Sequence, residues 1–277
     1  VVGRPPKEDM YLGMAATNIF APLLKLVTPE ITDLWAYYES GFHNLLVLSI
    51  DERYPKNSVK AMMSVWGTGQ LSLTKCIISV PSFVNPRDIK KVFGYLGANF
   101  NPEKDLMLLQ TTPLDTLDFT SGKINVGSKI GLNAVGDGKI ISEDNFEEIH
   151  ILDPRKKYNK IKEFRVINKN IIVINSDFDP KLISKEVLES GILDNFKIVF
   201  IVGTDIRIND NVDLLWGIFT RFDPTLDINF KNRSISNSCV QFSGTMVVDA
   251  TQKDWYPKVL EMSPDIVDKV KQNWKKY

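Results

Sequence analysis

An internal repeat constrains this chain more than any other feature. Lys75 to Asp105 reads as a strand (Cys76–Val80), a turn region holding Pro81 and Pro86, a helix, and then Asn101-Pro-Glu-Lys-Asp105. Lys197 to Asp227 follows the same grammar: Ile198–Val202, a polar turn, a helix, then Asp223-Pro-Thr-Leu-Asp227. A shift of 122 positions lays Val80 on Val202, Asp88 on Asp210, Phe100 on Phe222, Pro102 on Pro224 and Asp105 on Asp227. Repetition at a fixed offset means that one supersecondary unit is used twice. The fold class expected is α/β: two related units with mixed or largely parallel sheets flanked by helices, plus a C-terminal helix.

The flanking segments extend each unit. Met10 to Leu26 has helical spacing through Leu12, Ile19 and Leu23, with Pro22 expected to kink or restart the helix. Ile31 to Tyr38 reads as a short strand, and Asn44–Ile50 is apolar throughout, as in a strand covered on both faces. Lys56 to Trp66 reads as a helix with Val59, Met62, Met63 and Trp66 inward. Leu106–Gln110 and Gly127–Ala134 complete the first sheet, joined by a loop from Thr111 to Phe119. In the second unit Asn170–Asn175, a helix near 180–190 and Gly244–Ala250 take the equivalent places, and Asn229 to Phe242 reads as a loop. The boundaries expected are 1–138 for the first domain, 139–169 for a linker, 170–262 for the second copy and 263–277 for a terminal helix. That helix carries Ile266, Val267, Val270 and Trp274 near one face, which a neighbouring subunit or its own domain would cover.

Composition narrows the function classes. Thirty-four basic residues cancel thirty-four acidic ones, so no long-range field points to nucleic acid or an anionic membrane. No apolar run approaches the roughly 20 residues of a membrane span, and no signal peptide opens the chain. A cytoplasmic protein is expected, with at most peripheral membrane contact. Cys76 and Cys239 read as small buried hydrophobes rather than a disulfide, since this composition suggests a reducing compartment.

A search for catalytic constellations finds no phosphate-binding loop, no nucleophile elbow and no metal-ligand cluster. His43 and His150 stand alone and read as structural. Three stretches remain: Arg4 to Asp9, Thr68-Gly-Gln70 with Ser72, and Thr112-Pro-Leu114 with Asp115, Asp118 and the following Lys129. Ligand sites in open α/β sheets gather where strands end and loops diverge, so these loops are expected to line one wall of a pocket. On periodicity alone the plainer reading is that the two aspartates cap turns and Lys129 is an exposed charge.

At these loops the order of motifs becomes specific. Gly3-Arg-Pro-Pro-x-Glu-Asp9, Tyr54-Pro55, Met62-Met-Ser-Val-Trp-Gly-x-Gly-Gln70, Thr74-Lys75, Thr112-Pro-Leu-Asp-x-Leu-Asp118 and Gly127-Ser-Lys-Ile-Gly131 succeed one another. Together they resemble the carboxy-terminal part of the UbiD family of decarboxylases. The remainder resembles the carboxy-terminal extension of that family's longer, menaquinone-pathway-type members, as a degenerate second copy. The resemblance implies non-oxidative decarboxylation of an aromatic, hydroxybenzoate- or naphthoate-like acid in quinone biosynthesis. It implies prenylated FMN with Mn²⁺ (or Mg²⁺) and K⁺, the flavin serving as electron sink. The family's acid trio and its metal and phosphate ligands belong to an amino-terminal flavin domain with no counterpart here, so no catalytic residue and no metal ligand carries over. What carries over is the opposing wall: Asp9, Leu12, Thr112 and Leu114 toward substrate, and Thr68, Gln70 and Ser72 toward the cofactor. The partners implied are the amino-terminal flavin-binding domain and further copies of the chain, with exchange of the C-terminal helix. Two other readings stay open: a non-catalytic α/β interaction or assembly module, and a small-molecule-binding transferase using the Thr112 to Lys129 loops.

Overall fold

The computed structural model describes residues 7–146, 153–156, 158–177, 179–258 and 262–276. The first unit comprises α1 (Lys7–Val27), β1 (Ile31–Ala36), β2 (Leu45–Ile50), α2 (Asn57–Trp66), β3 (Cys76–Pro81), α3 (Ile89–Asn99), α4 (Pro102–Asp105), β4 (Leu106–Pro113) and β5 (Val126–Asn133). The second comprises β6 (Glu163–Asn168), β7 (Ile171–Asn175), α5 (Pro180–Ser190), β8 (Ile198–Val202), α6 (Asn211–Phe219), β9 (Ile228–Ser236) and β10 (Cys239–Ala250), and α7 (Pro264–Asn273) ends the chain.

The two sheets have one topology. The strand orders are β1-β2-β3-β5-β4 and β6-β7-β8-β10-β9. In each, three parallel strands form the centre and an antiparallel strand closes either edge. Both sheets are therefore mixed, and the doubled unit is a fact of the structure.

Strand periodicity explains how the layers stack. Successive side chains point to opposite faces, so β2 sends Leu45 and Val47 one way and Leu46 and Leu48 the other, all fully buried. The outer face of the first sheet packs under α1 and α2, and that of the second under α5. The inner faces share a single core, which α3 and α6 fill between the sheets. α3 packs on β3 and β5 and also touches β6, while α6 packs on β8 and β10 and also touches the Tyr38–Ser40 turn. Each inner helix is started by an aspartate: Asp88 accepts from Lys91 N, and Asp210 from Val212 N and Asp213 N.

Several expectations change. Pro22 does not break α1, which is continuous to Val27. Its buried line is Gly13, Thr17 and Leu24, whereas Ile19 and Leu23 face outward, so the apolar residues there form two faces rather than one. Met63 points to solvent from α2. Glu163–Asn168, within the stretch read as a linker, is the first strand of the second sheet. Asn229 to Phe242 is a long hairpin and not a loop. Its turn residues Asn237 and Ser238 both have positive φ, 49° and 66°, which suits a tight two-residue connection. Cys239 is exposed on this hairpin and only Cys76 is buried; both are free thiols. No helix among the described residues is long and apolar enough to cross a membrane.

Candidate functional site

The loops singled out from the sequence converge on one edge of the first sheet. Parallel strands β2, β3 and β5 all start there, and antiparallel β4 ends there. This is the amino edge of the parallel strands, not the carboxyl edge that the general rule for open sheets led us to expect. The cause is the sense of β4: running against its neighbours, it delivers Thr112 and Leu114 to the starts of β3 and β5.

The wall is built from the backbone outward. Thr68 starts a 3-10 turn (Gly69–Leu73) and donates from Oγ1 to Ser64 O at 2.7 Å. Gln70 is exposed, and Ser72 closes the turn with a 2.6 Å hydrogen bond to Gly69 O. Thr112 Oγ1 donates to Gly127 O at 3.3 Å. Leu114 is buried against Gly127, where an added Cβ would meet Leu114 Cδ1 at 2.3 Å, so only glycine admits it. Asp9 and Leu12 belong to α1, but their side chains lie outside the described residues, as does Arg4.

Behind this wall lies a set of charges that sequence reasoning mostly missed. Lys75 Nζ stands 2.8 Å from Asp118 Oδ2, with 1% and 3% of the two side chains exposed. The Phe222 ring lies 5.2 Å from the same ammonium. Asp118 Oδ1 accepts from Thr120 N and Oγ1, so the turn capping expected of this aspartate is real. Lys129 is buried, correcting its reading as an exposed charge, and donates to Ser72 O at 2.8 Å and Thr74 O at 2.9 Å. These two bonds join the 68–72 turn to the 112–129 segment. His43, read as solitary, pairs through Nδ1 with Asp115 and ties the loop to the start of β2. That contact holds the Asp115 carboxyl below the usual carboxylate range. The signal for Lys75 was present in the repeat itself, because Lys75 and Lys197 occupy the same place in it. Lys197 donates to Ala98 O and Phe100 O of the first unit, so each lysine reaches across to the other copy.

The second unit seals the same edge. Asp223 accepts from both Ser128 Oγ and Ser128 N, the latter at 3.1 Å, and also from Thr225 N at 2.9 Å. Phe119 packs on Tyr256 with ring centroids 4.9 Å apart.

Burial pushes Lys129 down to about 8, partly opposed by Asp118. An unfolded lysine titrates at about 10.4, so between those values the unfolded chain binds a proton that the folded chain has released. Stability from this group therefore rises with pH across that window, and the cost of burying the charge is present in full below it. Urea unfolding of the wild type and of Lys129→Gln is expected to show the difference between them growing in favour of the wild type from about pH 8 to about pH 10. A flat difference would mean that Lys129 keeps an ordinary titration.

Comparison with known proteins bears on this edge directly. A model of the 3-octaprenyl-4-hydroxybenzoate carboxy-lyase C-terminal domain (UbiD_C) matches residues 10–134 and 175–250, taking in both units. The chain belongs to this family. Within UbiD_C, a 4-hydroxybenzoate decarboxylase component of Chlamydia pneumoniae is 30% identical over 279 residues, covering 100% of this chain and 46% of that protein. An uncharacterized protein of Archaeoglobus fulgidus is 42% identical over 134 residues, 48% of this chain and 28% of its own length. Among solved structures, the UbiD-class enzyme HmfF from Pelotomaculum thermopropionicum in complex with FMN matches at 19% identity and a TM-score of 0.44, over 56% of this chain and 33% of that one. The chain thus spans less than half the length of the curated relatives it matches.

The fit of the UbiD cofactors can be tested on the residues present. Among the described residues no group of three or more His, Cys, Asp and Glu is placed to hold a metal ion. The buried ammonium of Lys129 is taken up by backbone carbonyls, and those of Lys75 and Lys253 lie beside carboxylates. The described residues therefore form a wall and not a cradle for a flavin phosphate and its metal.

Proposed function

We propose that the chain is the cleft-closing and oligomerising C-terminal portion of a UbiD-like decarboxylase acting on a hydroxybenzoate- or naphthoate-like acid in quinone biosynthesis in the cytoplasm. In this reading it is inactive without an amino-terminal flavin half. The observation that carries the proposal is the convergence of the 68–72 turn and the 112–118 loop on one edge, joined through Lys129. Prenylated FMN, held with Mn²⁺ or Mg²⁺ and K⁺ in the other half, supplies the electron sink. This chain's residues do the rest of the closing work. Thr112 and Leu114 bound the substrate side, Asp9 and Leu12 approach it from α1, and Thr68, Gln70 and Ser72 face the cofactor. The His43–Asp115 pair and Gly127 hold the loop in position. Closure of such a wall excludes water and completes the pocket.

Reconstitution tests this reading. The chain alone is expected to release no CO₂ from an aromatic acid, and joined to the amino-terminal half of a relative loaded with prenylated FMN it is expected to decarboxylate one. No release from any hydroxybenzoate or naphthoate after joining would refute it.

The exposed apolar face of α7 favours a second reading as an assembly module. None of its residues is buried, and the flanking Trp274 and Met262 are 70% and 65% exposed. Mass in solution is expected to fall when residues 264–277 are removed; an unchanged mass counts against assembly through α7.

A further inference from the structure

The seam between the two units contains a cavity of about 380 Å³, within the roughly 300–1,000 Å³ typical of small-molecule sites. Neither copy makes it alone: α3 and the segment before β6 supply one side, and β6 with α6 the other. We propose that this seam binds a small carboxylate with an apolar body, at a site separate from the 68–72 and 112–118 wall.

The walls set the ligand's chemistry. Phe93, Phe146, Ile167 and Leu215 form an apolar floor, while Lys90, Arg165 and Asn211 supply the polar side. No acidic side chain lines the cavity, so its lining carries two positive charges and no negative one. A small molecule seated there is sorted by burial of its body and by charge at its head.

Arg165 is already oriented for that role. Its Nη1 donates to Ile208 O at 3.1 Å and to Asn211 Oδ1 at 2.8 Å, which fixes the guanidinium plane against α6. A planar fork held in place loses little freedom when it meets a carboxylate. Both inner helices also begin at the cavity, with Ile89 and Asn211 as their first residues. Their amides are occupied by the capping aspartates Asp88 and Asp210, and Asp210 is itself paired with Arg207 at 3.1 Å. The helix ends thus contribute dipole and not hydrogen bonds, and the two cations carry the selection.

A comparison of the two copies shows how the space arises. Gly94 stands where the second copy has Trp216, whose indole packs 4.7 Å from the Arg221 guanidinium. At Gly94 an added Cβ would lie 2.1 Å from the Phe146 ring. The glycine therefore admits Phe146 as the aromatic wall, in a place that the other copy fills with its own side chain.

Titration calorimetry with 1-naphthoate, octanoate and the neutral 1-naphthalenemethanol tests the proposal. One equivalent of acid is expected to bind, with the alcohol roughly tenfold weaker or worse, as the loss of a charge-assisted contact implies. The two acids separate an aromatic from an aliphatic body. Arg165→Gln and the exposed Lys90→Gln are each expected to weaken 1-naphthoate several-fold while leaving the alcohol and the unfolding midpoint unchanged. Three results would overturn the proposal: no acid binding, equal binding of acid and alcohol, or wild-type affinity in a folded Lys90→Gln/Arg165→Gln double variant. Wild-type affinity in that variant together with loss on Leu114→Asp would assign the acid to the loop wall instead.

Discussion

Lys75→Met is expected to destabilise the fold by about 3 kcal/mol, at the lower end of the roughly 3–5 kcal/mol for breaking a buried ion pair by removing one partner. The substitution leaves the Asp118 carboxylate, 3% exposed, facing the Phe222 ring with its near ammonium gone. Lys129 still acts on that carboxylate from nearby, which is why the lower end is expected. At roughly 2–4 °C per kcal/mol for a chain of this size class, the melting midpoint should fall by about 6–12 °C. Lys75→Met/Asp118→Asn should recover much of the loss, because the amide needs no counter-charge and its oxygen can still accept from Thr120. Urea unfolding of the two variants decides the matter. A single variant within 1 kcal/mol of wild type would show that the pair contributes little.

Asp223→Ala is expected to have a comparable effect by a different route. The carboxylate gathers Ser128 N, Ser128 Oγ, Thr225 N and Thr225 Oγ1, and its removal strands several of these in a dry interface. Buried donors left without acceptors cost about 1–3 kcal/mol each where water cannot reach them, and partial relaxation should bring the sum to about 3 kcal/mol. Because this clamp joins the two units, the loss should be local as well as global. Native-state hydrogen exchange is expected to show the Ser128 and Thr225 amides deprotected in the variant more than the centre of β3. Unchanged protection at Ser128 would mean that the units dock without it.

Much of the architecture was legible because buried parallel strands leave a dense apolar trace. Asn44–Ile50, Cys76–Val80 and Ile198–Val202 declared themselves in this way, and the 122-residue offset declared the duplication. The strands that escaped notice are those without a single dry face. In β9 and the first half of β10, polar and apolar residues are exposed alike, so Asn229 to Phe242 had no alternation to betray it. β6 has the same defect: only Val166 and Asn168 in it are buried. For the site, motif order located the loops, but their placement depended on the antiparallel sense of β4, which no local pattern encodes. The supporting charges were harder still. Asp223 meets Ser128 across 95 positions, and a lysine ahead of an apolar strand looks like an ordinary strand boundary until its partner is known.

The single core between the sheets carries a consequence for how such a chain can change. With α3 and α6 interleaved, each half serves as the other's ceiling, so the later half cannot be discarded as a spare once its own loops lose their chemistry. It is kept as masonry: drift at its surface is tolerated, whereas drift at Phe200, Phe219 or Phe222 would be felt by the half that still faces a substrate.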